Sequence, residues 1–329
     1  MSLTKRELLT RRAAMLRRSR KFFDELGFIE IQAPCLSSDN VVDAHIDPVI
    51  VRRESILLPA GAWNEGHIAE TYYLQSSPEF AMKRLLGEGV GSMYCLGPVF
   101  RAGERSTRHN VEFTMLEWYD VGASMERAIE QTIDLFCVTT RMKLPRVVTY
   151  RDLFRETLGI DPIACDTSVL RREITRLDDA SLHSLASSLG TDRDALLDVI
   201  LTQRIEPMIN GDVVLIRNYP LSQAALARRS DEDPETAERF ELIVYGLELA
   251  NGYGELLDAD ELVRRNKINN EKRIATGRQP LPVDSRLIDA MRCGMPECSG
   301  VALGFDRLVM LATETRDIAD VLAFPIEFA

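Results

Sequence analysis

Short β-rich runs, many of them alternating apolar and polar residues, recur along this chain at 48–58, 71–75, 92–101, 112–121, 212–219, 240–250 and 300–305. A period of two puts successive side chains on opposite faces of a strand. Such runs pair into half-exposed antiparallel strands rather than into the continuously apolar strands of an all-parallel sheet. The expected fold class is α+β, a large, mainly antiparallel sheet flanked by helices. Residues 5–26 read as one amphipathic helix with Leu9, Ala13, Leu16, Phe23 and Leu26 on one side and Gly27 ending it, followed by a short strand at 28–32 that stops at Pro34. Further helices are expected at 78–87, 124–141, 192–206, 258–276 and 284–293, the first opened by Pro78 after two serines. The mostly helical stretch at about 145–210 reads as an insertion within a single domain spanning 1–329, and the Gly- and Ala-rich loop 59–67 is the candidate mobile lid.

Composition excludes several classes. With 51 acidic against 40 basic residues, the formal charge of -11 argues against nucleic acid wrapped over the whole surface, though not against a local basic stripe. No apolar run is long enough to span a membrane and the N-terminal residues lack a signal-peptide core, so a cytoplasmic protein without membrane contact is expected. Six cysteines without a CxxC pair suggest reduced structural thiols, Cys293 and Cys298 included. There is no GxxxxGK[ST], HExxH or GxSxG motif, the Gly87, Gly89, Gly91 series follows a helix instead of a strand, and the four histidines lack metal-ligand spacing. If the chain handles a nucleotide, its arginines must hold it.

Three segments are dense in chemistry. The first, FRAGERSTRHNVEFTMLEWY at 100–119, packs Arg101, Arg105, Arg108 and His109 into a turn between strand-like halves. Arg101, at a strand end, suits joint recognition of a phosphate and a carboxylate through its planar fork, while Arg108 and His109 suit outer phosphates and Phe113 a purine face. Alternation sets Phe113, Met115, Glu117 and Tyr119 on one face, and a buried carboxylate there needs a cationic partner. The second, ELIVYGLELANGYGE at 241–255, requires a turn or bulge near Gly246 to bring Glu241, Glu248, Asn251 and Glu255 together, where they suit Mg²⁺ on a nucleotide and an ammonium group. The third, GVALGFDRLVML at 300–311, is an apolar strand running into a helix that begins with Asp306 and Arg307; Arg307 can lie over adenine or form an ordinary cap with its neighbour.

These segments, in this order, resemble motifs 2 and 3 of the class II aminoacyl-tRNA synthetase catalytic fold, with motif 1 ending at Pro34. SSPEFAMKRLL, RHNVEFTMLEWY and ELANGYGEL are similar to the lysine-specific branch. The motif 1 helix begins near residue 5, so no anticodon-binding domain is expected ahead of it. That combination resembles the elongation factor P lysine ligase family, truncated paralogues of lysyl-tRNA synthetase that attach (R)-β-lysine to a lysine side chain of elongation factor P. Ser77 and Ala302, where lysyl-tRNA synthetases usually carry Ala and Gly, point the same way.

The resemblance implies ATP and Mg²⁺ as cofactors, a lysine-type amino acid as substrate and elongation factor P as acceptor, with tRNA not expected and a homodimer formed through motif 1. It places Arg101 and Arg307 as catalytic. ATP contacts fall to Arg101, Glu104, Arg108, His109, Asn110, Phe113, Glu241, Glu248 and Arg307, with Mg²⁺ on Glu241 and Glu248. Ser77, Glu79, Glu117, Tyr119, Asn251, Tyr253, Glu255 and Ala302 would line the amino-acid pocket. The chain departs from the family's usual FRNE: Ala102 and Gly103 precede Glu104, displacing by one residue the carboxylate expected at the adenine amino group, a shift that a bulge can restore. Two rivals remain at this level, a truncated lysyl-tRNA synthetase acting on RNA and a non-catalytic regulatory paralogue. The basic residues Arg11, Arg12, Arg17, Arg18, Arg20 and Lys21 of the first helix either steer an acidic partner or form a solvated face.

Overall fold

The computed structural model describes residues 3–56, 69–177 and 179–329, so the candidate lid at 59–67 lies outside the described residues. Eleven strands are seen there: β1 (Ile29–Glu30), β2 (Leu36–Ser37), β3 (Val49–Arg52), β4 (Thr71–Leu74), β5 (Met93–Phe100), β6 (Glu112–Val121), β7 (Arg146–Thr149), β8 (Val213–Arg217), β9 (Arg239–Val244), β10 (Leu247–Gly254) and β11 (Cys298–Gly304). The chain forms two compact units, one of residues 1–124, 134–141 and 256–329, the other of 125–133 and 142–255.

In the first unit β6 pairs antiparallel with both β5 and β11, and β1 adds to β5 in parallel. Alternation sorts the side chains as expected. Tyr94, Leu116, Trp118, Val301 and Leu303 share one buried face, and Met93, Cys95, Met115, Glu117 and Tyr119 share the other. The first face is closed by the helix Lys5–Glu25, which starts at a capping box between Thr4 and Glu7. Phe23 stacks on Tyr94 with ring centroids 4.7 Å apart and lies 5.2 Å from Trp118. The buried stripe of this helix is Leu8, Met15, Ser19 and Phe23, one position round from the one read in the sequence. The rotation has a physical cause. Arg12 lies on the inner side, where it pairs with buried Asp306 and donates 2.8 Å to Thr114 Oγ1, while the Thr114 amide donates 2.7 Å to the same aspartate. Arg18 donates to the Thr139 carbonyl and Arg20 pairs with Glu30, so three of the helix's cations are internal fasteners rather than parts of a free basic face. A second sheet, in the order β2-β4-β3, is antiparallel throughout.

In the second unit β8, β9 and β10 form an antiparallel set, and β7 adds to β8 in parallel. Five helices and a π-turn lie between β7 and β8, and Leu153, Phe154, Leu170, Ile174, Leu197 and Ile200 form their apolar core with Val214, Ile216 and Ile243 of the strands. The run read as 240–250 is two strands joined by a two-residue turn with φ of 52° at Tyr245 and 71° at Gly246, the backbone twist a tight hairpin requires. At 48–58 the strand ends at Arg52, and the turn of helix Arg53–Ile56 follows where charges break the alternation. The other expected helices form within one or two residues of their predicted ends, as Glu79–Gly87, Met125–Thr140, Arg193–Ile200 with its π continuation to Ile205, Ala259–Ala275 and Arg286–Cys293. Among the described residues all six cysteines are free thiols, and no helix is long and apolar enough to cross a membrane. Phe23→Ala is expected to cost about 3–5 kcal/mol in denaturant unfolding, since it empties the space against Tyr94 and Trp118; a loss below about 1 kcal/mol would show that the helix is not the cover of this face.

Candidate active site

The first unit holds two groups of candidate residues. One surrounds the turn between β5 and β6. Arg101 leaves the end of β5 with its backbone fixed on both sides: the Phe100 amide donates to the Gln75 carbonyl, the Arg101 amide to the Val111 carbonyl and the Ala102 amide to the Asp47 carbonyl, at 2.7–2.9 Å. Its guanidinium lies over the Phe113 ring, 5.2 Å from the centroid. The chain then turns at Gly103, with φ of 77°, which returns the displaced Glu104 carboxylate to 3.9 Å from the Arg101 guanidinium. Ser106 and His109 close the tip through reciprocal backbone bonds. His109 accepts from the Arg307 guanidinium at Nε2, 2.7 Å away, and its Nδ1 lies 2.8 Å from Ser106 Oγ. Burial, and then the neighbouring Arg307, lower its pKa, so the ring is neutral and can accept that bond. Arg307 projects from the first turn of the helix Phe305–Thr313, and Arg108 is exposed at the tip. Asn110 is buried with its amide committed to backbone, donating 2.7 Å to the Glu112 carbonyl and accepting from the Ile326 amide; it shapes the loop.

The second group lies farther along the same face of β6. Glu117 is buried, opposite Cys95 of β5 and Ala302 of β11. Gly97, Gly300 and Gly304 lie diagonal to it on the neighbouring strands. Glu117 accepts 2.8 Å from Ser77 Oγ and 2.7 Å from the Tyr119 hydroxyl. Ser77 Oγ also accepts from the Glu79 amide at 3.0 Å, and the Glu79 carboxylate pairs at 2.5 Å with Lys83, one turn on in the same helix. The Lys83 ammonium sits 5.7 Å from the Tyr119 ring centroid, which closes a ring of five side chains. Burial, and then the charge of Glu79, push the Glu117 pKa up to about 8 against the hydrogen bonds from Tyr119 and Ser77.

The second unit carries the remaining candidates. Glu241 pairs across with Asn251, Glu248 with Ile243 and Tyr253 with Arg239; the register shift between Glu248 and Ala250 puts Glu248 and Asn251, three residues apart, on one face. Gly252 and Gly254 explain the NGYG sequence, since a Cβ at either would run into the Phe240 ring or the Glu238 carboxylate. Glu241 is buried with both oxygens engaged, one by Arg239 and the other by the Tyr219 hydroxyl at 2.8 Å. Burial raises its pKa and Arg239 opposes the rise. Arg239 lies over the Tyr219 ring, 4.5 Å from the centroid. Glu248 is exposed on the same face, Asn251 Oδ1 is buried without a hydrogen-bond partner, and Glu255 is buried beside the bridge it makes with Ala227.

With that geometry in place, residues 2–327 match the family described as tRNA synthetases class II (D, K and N). The chain belongs to the class II tRNA synthetase family. It is 41% identical over 322 residues, 98% of this chain and 95% of the relative, to a Salmonella gallinarum protein named elongation factor P--(R)-beta-lysine ligase. A Yersinia enterocolitica protein of the same name is 41% identical over 319 residues, covering 97% of this chain and 94% of its own.

The segment read as motif 2 is β5, β6 and their turn, and that read as motif 3 is β11 with the helix Phe305–Thr313. The first unit brings Arg101, Glu104, His109, Phe113 and Arg307 to one corner, and Ser77, Glu79, Glu117, Tyr119 and Ala302 to one stretch of sheet. Sequence reasoning missed Lys83, Arg239 and Tyr219. The first two had a signal: Lys83 stands four residues after Glu79 on a helix and Arg239 two residues before Glu241 on a strand, each on the same face as its carboxylate. Folding raises the Glu117 pKa from the ordinary carboxylate range to about 8, so between those values the folded protein holds a proton that the unfolded chain has released, and stability falls as pH rises. Glu117→Gln removes this titration. Its melting temperature should gain on wild type between about pH 5 and pH 8, and a constant difference would show that Glu117 is ionised throughout.

Proposed function

We propose that this protein activates lysine or (R)-β-lysine with ATP as an aminoacyl-adenylate and transfers the acyl group to a lysine side chain of elongation factor P. The observation that carries this reading is similarity over 98% of the chain to a relative named for that reaction. The site residues support it: within the first unit the Glu117 carboxylate lies with Tyr119 and Ser77, a set that suits a substrate bearing ammonium groups.

In the activation step a substrate carboxylate oxygen attacks the α-phosphorus of ATP, and pyrophosphate leaves. Arg101, fixed at the end of β5, is assigned to hold the α-phosphate and the carboxylate together in line, which is mostly a matter of positioning and charge stabilisation. Phe113 and Arg307 are assigned to the two faces of adenine, Glu104 to its amino group, and Arg108 and His109 to the outer phosphates. Neutral His109 holds the Arg307 guanidinium in place. Mg²⁺ would neutralise phosphate charge. Two carboxylates on one strand face fit it, because this ion takes one or two protein oxygens together with phosphates and waters. Glu248 is exposed, and Glu241 is buried and held by Arg239 and Tyr219. In the transfer step the acceptor amine attacks the acyl carbonyl and AMP leaves. Asn251, Tyr253 and Glu255 are assigned with Glu117 and Tyr119 to the substrate's ammonium groups, and Ser77 and Ala302 to the end where α- and β-amino acids differ. A cytoplasmic homodimer, with elongation factor P rather than tRNA as partner, completes the proposal.

Amino-acid-dependent ATP–pyrophosphate exchange without tRNA, over lysine, (R)-β-lysine, ornithine, asparagine and aspartate, should be confined to the lysine-type substrates. Exchange with none of them would favour a non-catalytic paralogue. Arg101→Ala should abolish exchange, and wild-type exchange in that variant would overturn its assignment. Glu255→Gln should raise the KM for lysine by about tenfold or more, the worth of one charge-assisted hydrogen bond, with the KM for ATP little changed; equal losses of both would put Glu255 outside the amino-acid pocket.

A further inference from the structure

Lys83 is buried in the helix Glu79–Gly87, beside a core of Met82, Leu86, Met93, Cys95, Tyr119 and Cys298. Taking an ammonium out of water is expensive, and here the expense is met by the Glu79 carboxylate at 2.5 Å and the face of Tyr119. The ring to which it belongs contains two carboxylates, Glu79 and Glu117, and one cation. The groups that face Glu117 are Glu79 and Lys83 from the helix, Ser77 from the turn before it, Tyr119 from its own strand and Cys95 from β5. Among them Lys83 carries the one positive charge. Among the described residues Lys83 pairs with Glu79 while Glu117 keeps a proton up to about pH 8, and the substrate class proposed above brings an ammonium that can take that proton's place.

Resting on that amino-acid-activating reading, we propose that Lys83 is a positioning residue that sets the charge count of the pocket: its ammonium balances Glu79, so the substrate's ammonium has one place to go, beside Glu117 and Tyr119. Without Lys83, the place beside Glu79 becomes a second seat for a cation. A lysine-type substrate then divides between two positions, one of them out of line with Arg101. Glu117 also loses the cation that opposes its protonation, so its proton persists to higher pH.

Two measurements test this. In Lys83→Met, which keeps the buried volume, the infrared band of the protonated carboxyl should persist about one pH unit or more above its wild-type limit, in protein without substrate. In Lys83→Ala, lysine-dependent exchange should lose about tenfold or more in kcat/KM for lysine while the KM for ATP stays unchanged, and n-propylammonium, which has no carboxylate to activate, should restore the loss by filling the vacated seat. A wild-type carboxyl titration in Lys83→Met would overturn the proposal, and so would a Lys83→Ala defect that propylammonium cannot repair or that falls equally on ATP. If wild type itself shows no lysine-dependent exchange, the functional reading fails, and the carboxyl titration still decides the place of Lys83.

Discussion

Glu79 and Glu117 lie out of water within one ring of residues, and a carboxyl group in that position is tolerated only where cations, hydrogen-bond donors or a proton balance it. Much of the first unit is arranged to supply them. Lys83 reaches Glu79 because a helix brings residues four apart onto one face, and Tyr119 reaches Glu117 because a strand does the same for residues two apart. Ser77 links the two elements by accepting from one and donating to the other. Small residues, Cys95 and Ala302, lie opposite Glu117 on β5 and β11, while Trp118, Tyr94 and Phe23 fill the opposite face of the same strands. In the second unit Glu241 meets the same requirement with Arg239 and Tyr219.

A pocket built in this way is suited to cations. In the proposed reading a neutral ligand of the same shape leaves Glu117 with its hydrogen bonds and its proton, whereas a substrate ammonium gives it a cation, so discrimination follows from charge. The corner at the β5–β6 turn follows a different rule. Arg101 is held by its backbone bonds, the Phe113 face and the Glu104 carboxylate at 3.9 Å, and Arg307 by neutral His109. Cations fixed in this way suit the polyphosphate of the proposed reaction, as the buried carboxylates suit its cationic amino acid.

Much of this is legible in the sequence. Period-two alternation placed Glu117 with Phe113, Met115 and Tyr119, and the registry of β5, β6 and β11 bears that out. The need for a turn or bulge near Gly246 was also legible, because Glu241 and Glu248 are both acidic and could serve one site only if the chain reversed; the structure uses both, a turn at Tyr245 and Gly246 and a register shift after Glu248. Glu104 returns to Arg101 because Gly103 takes a positive φ, which the sequence allows without requiring it. The rotation of the first helix was not legible, since it follows from an ion pair between Arg12 and Asp306, 294 residues apart, that no local pattern records. Tyr219 escaped for the same reason, lying 22 residues from Glu241 and meeting it only after the strands pair. Asn110 is expected at ATP from the resemblance alone, and its bonds to the Glu112 carbonyl and the Ile326 amide are made with residues that no local pattern points to.

The central claim is that this class II chain passes a lysine-type acyl group to a protein rather than to RNA. Mass spectrometry of elongation factor P after incubation with the protein, ATP and lysine or (R)-β-lysine tests it most directly. The account predicts a gain of one lysine-type residue, located on a lysine side chain and dependent on ATP. Unmodified elongation factor P, alongside acylated tRNA in a parallel reaction, would contradict it.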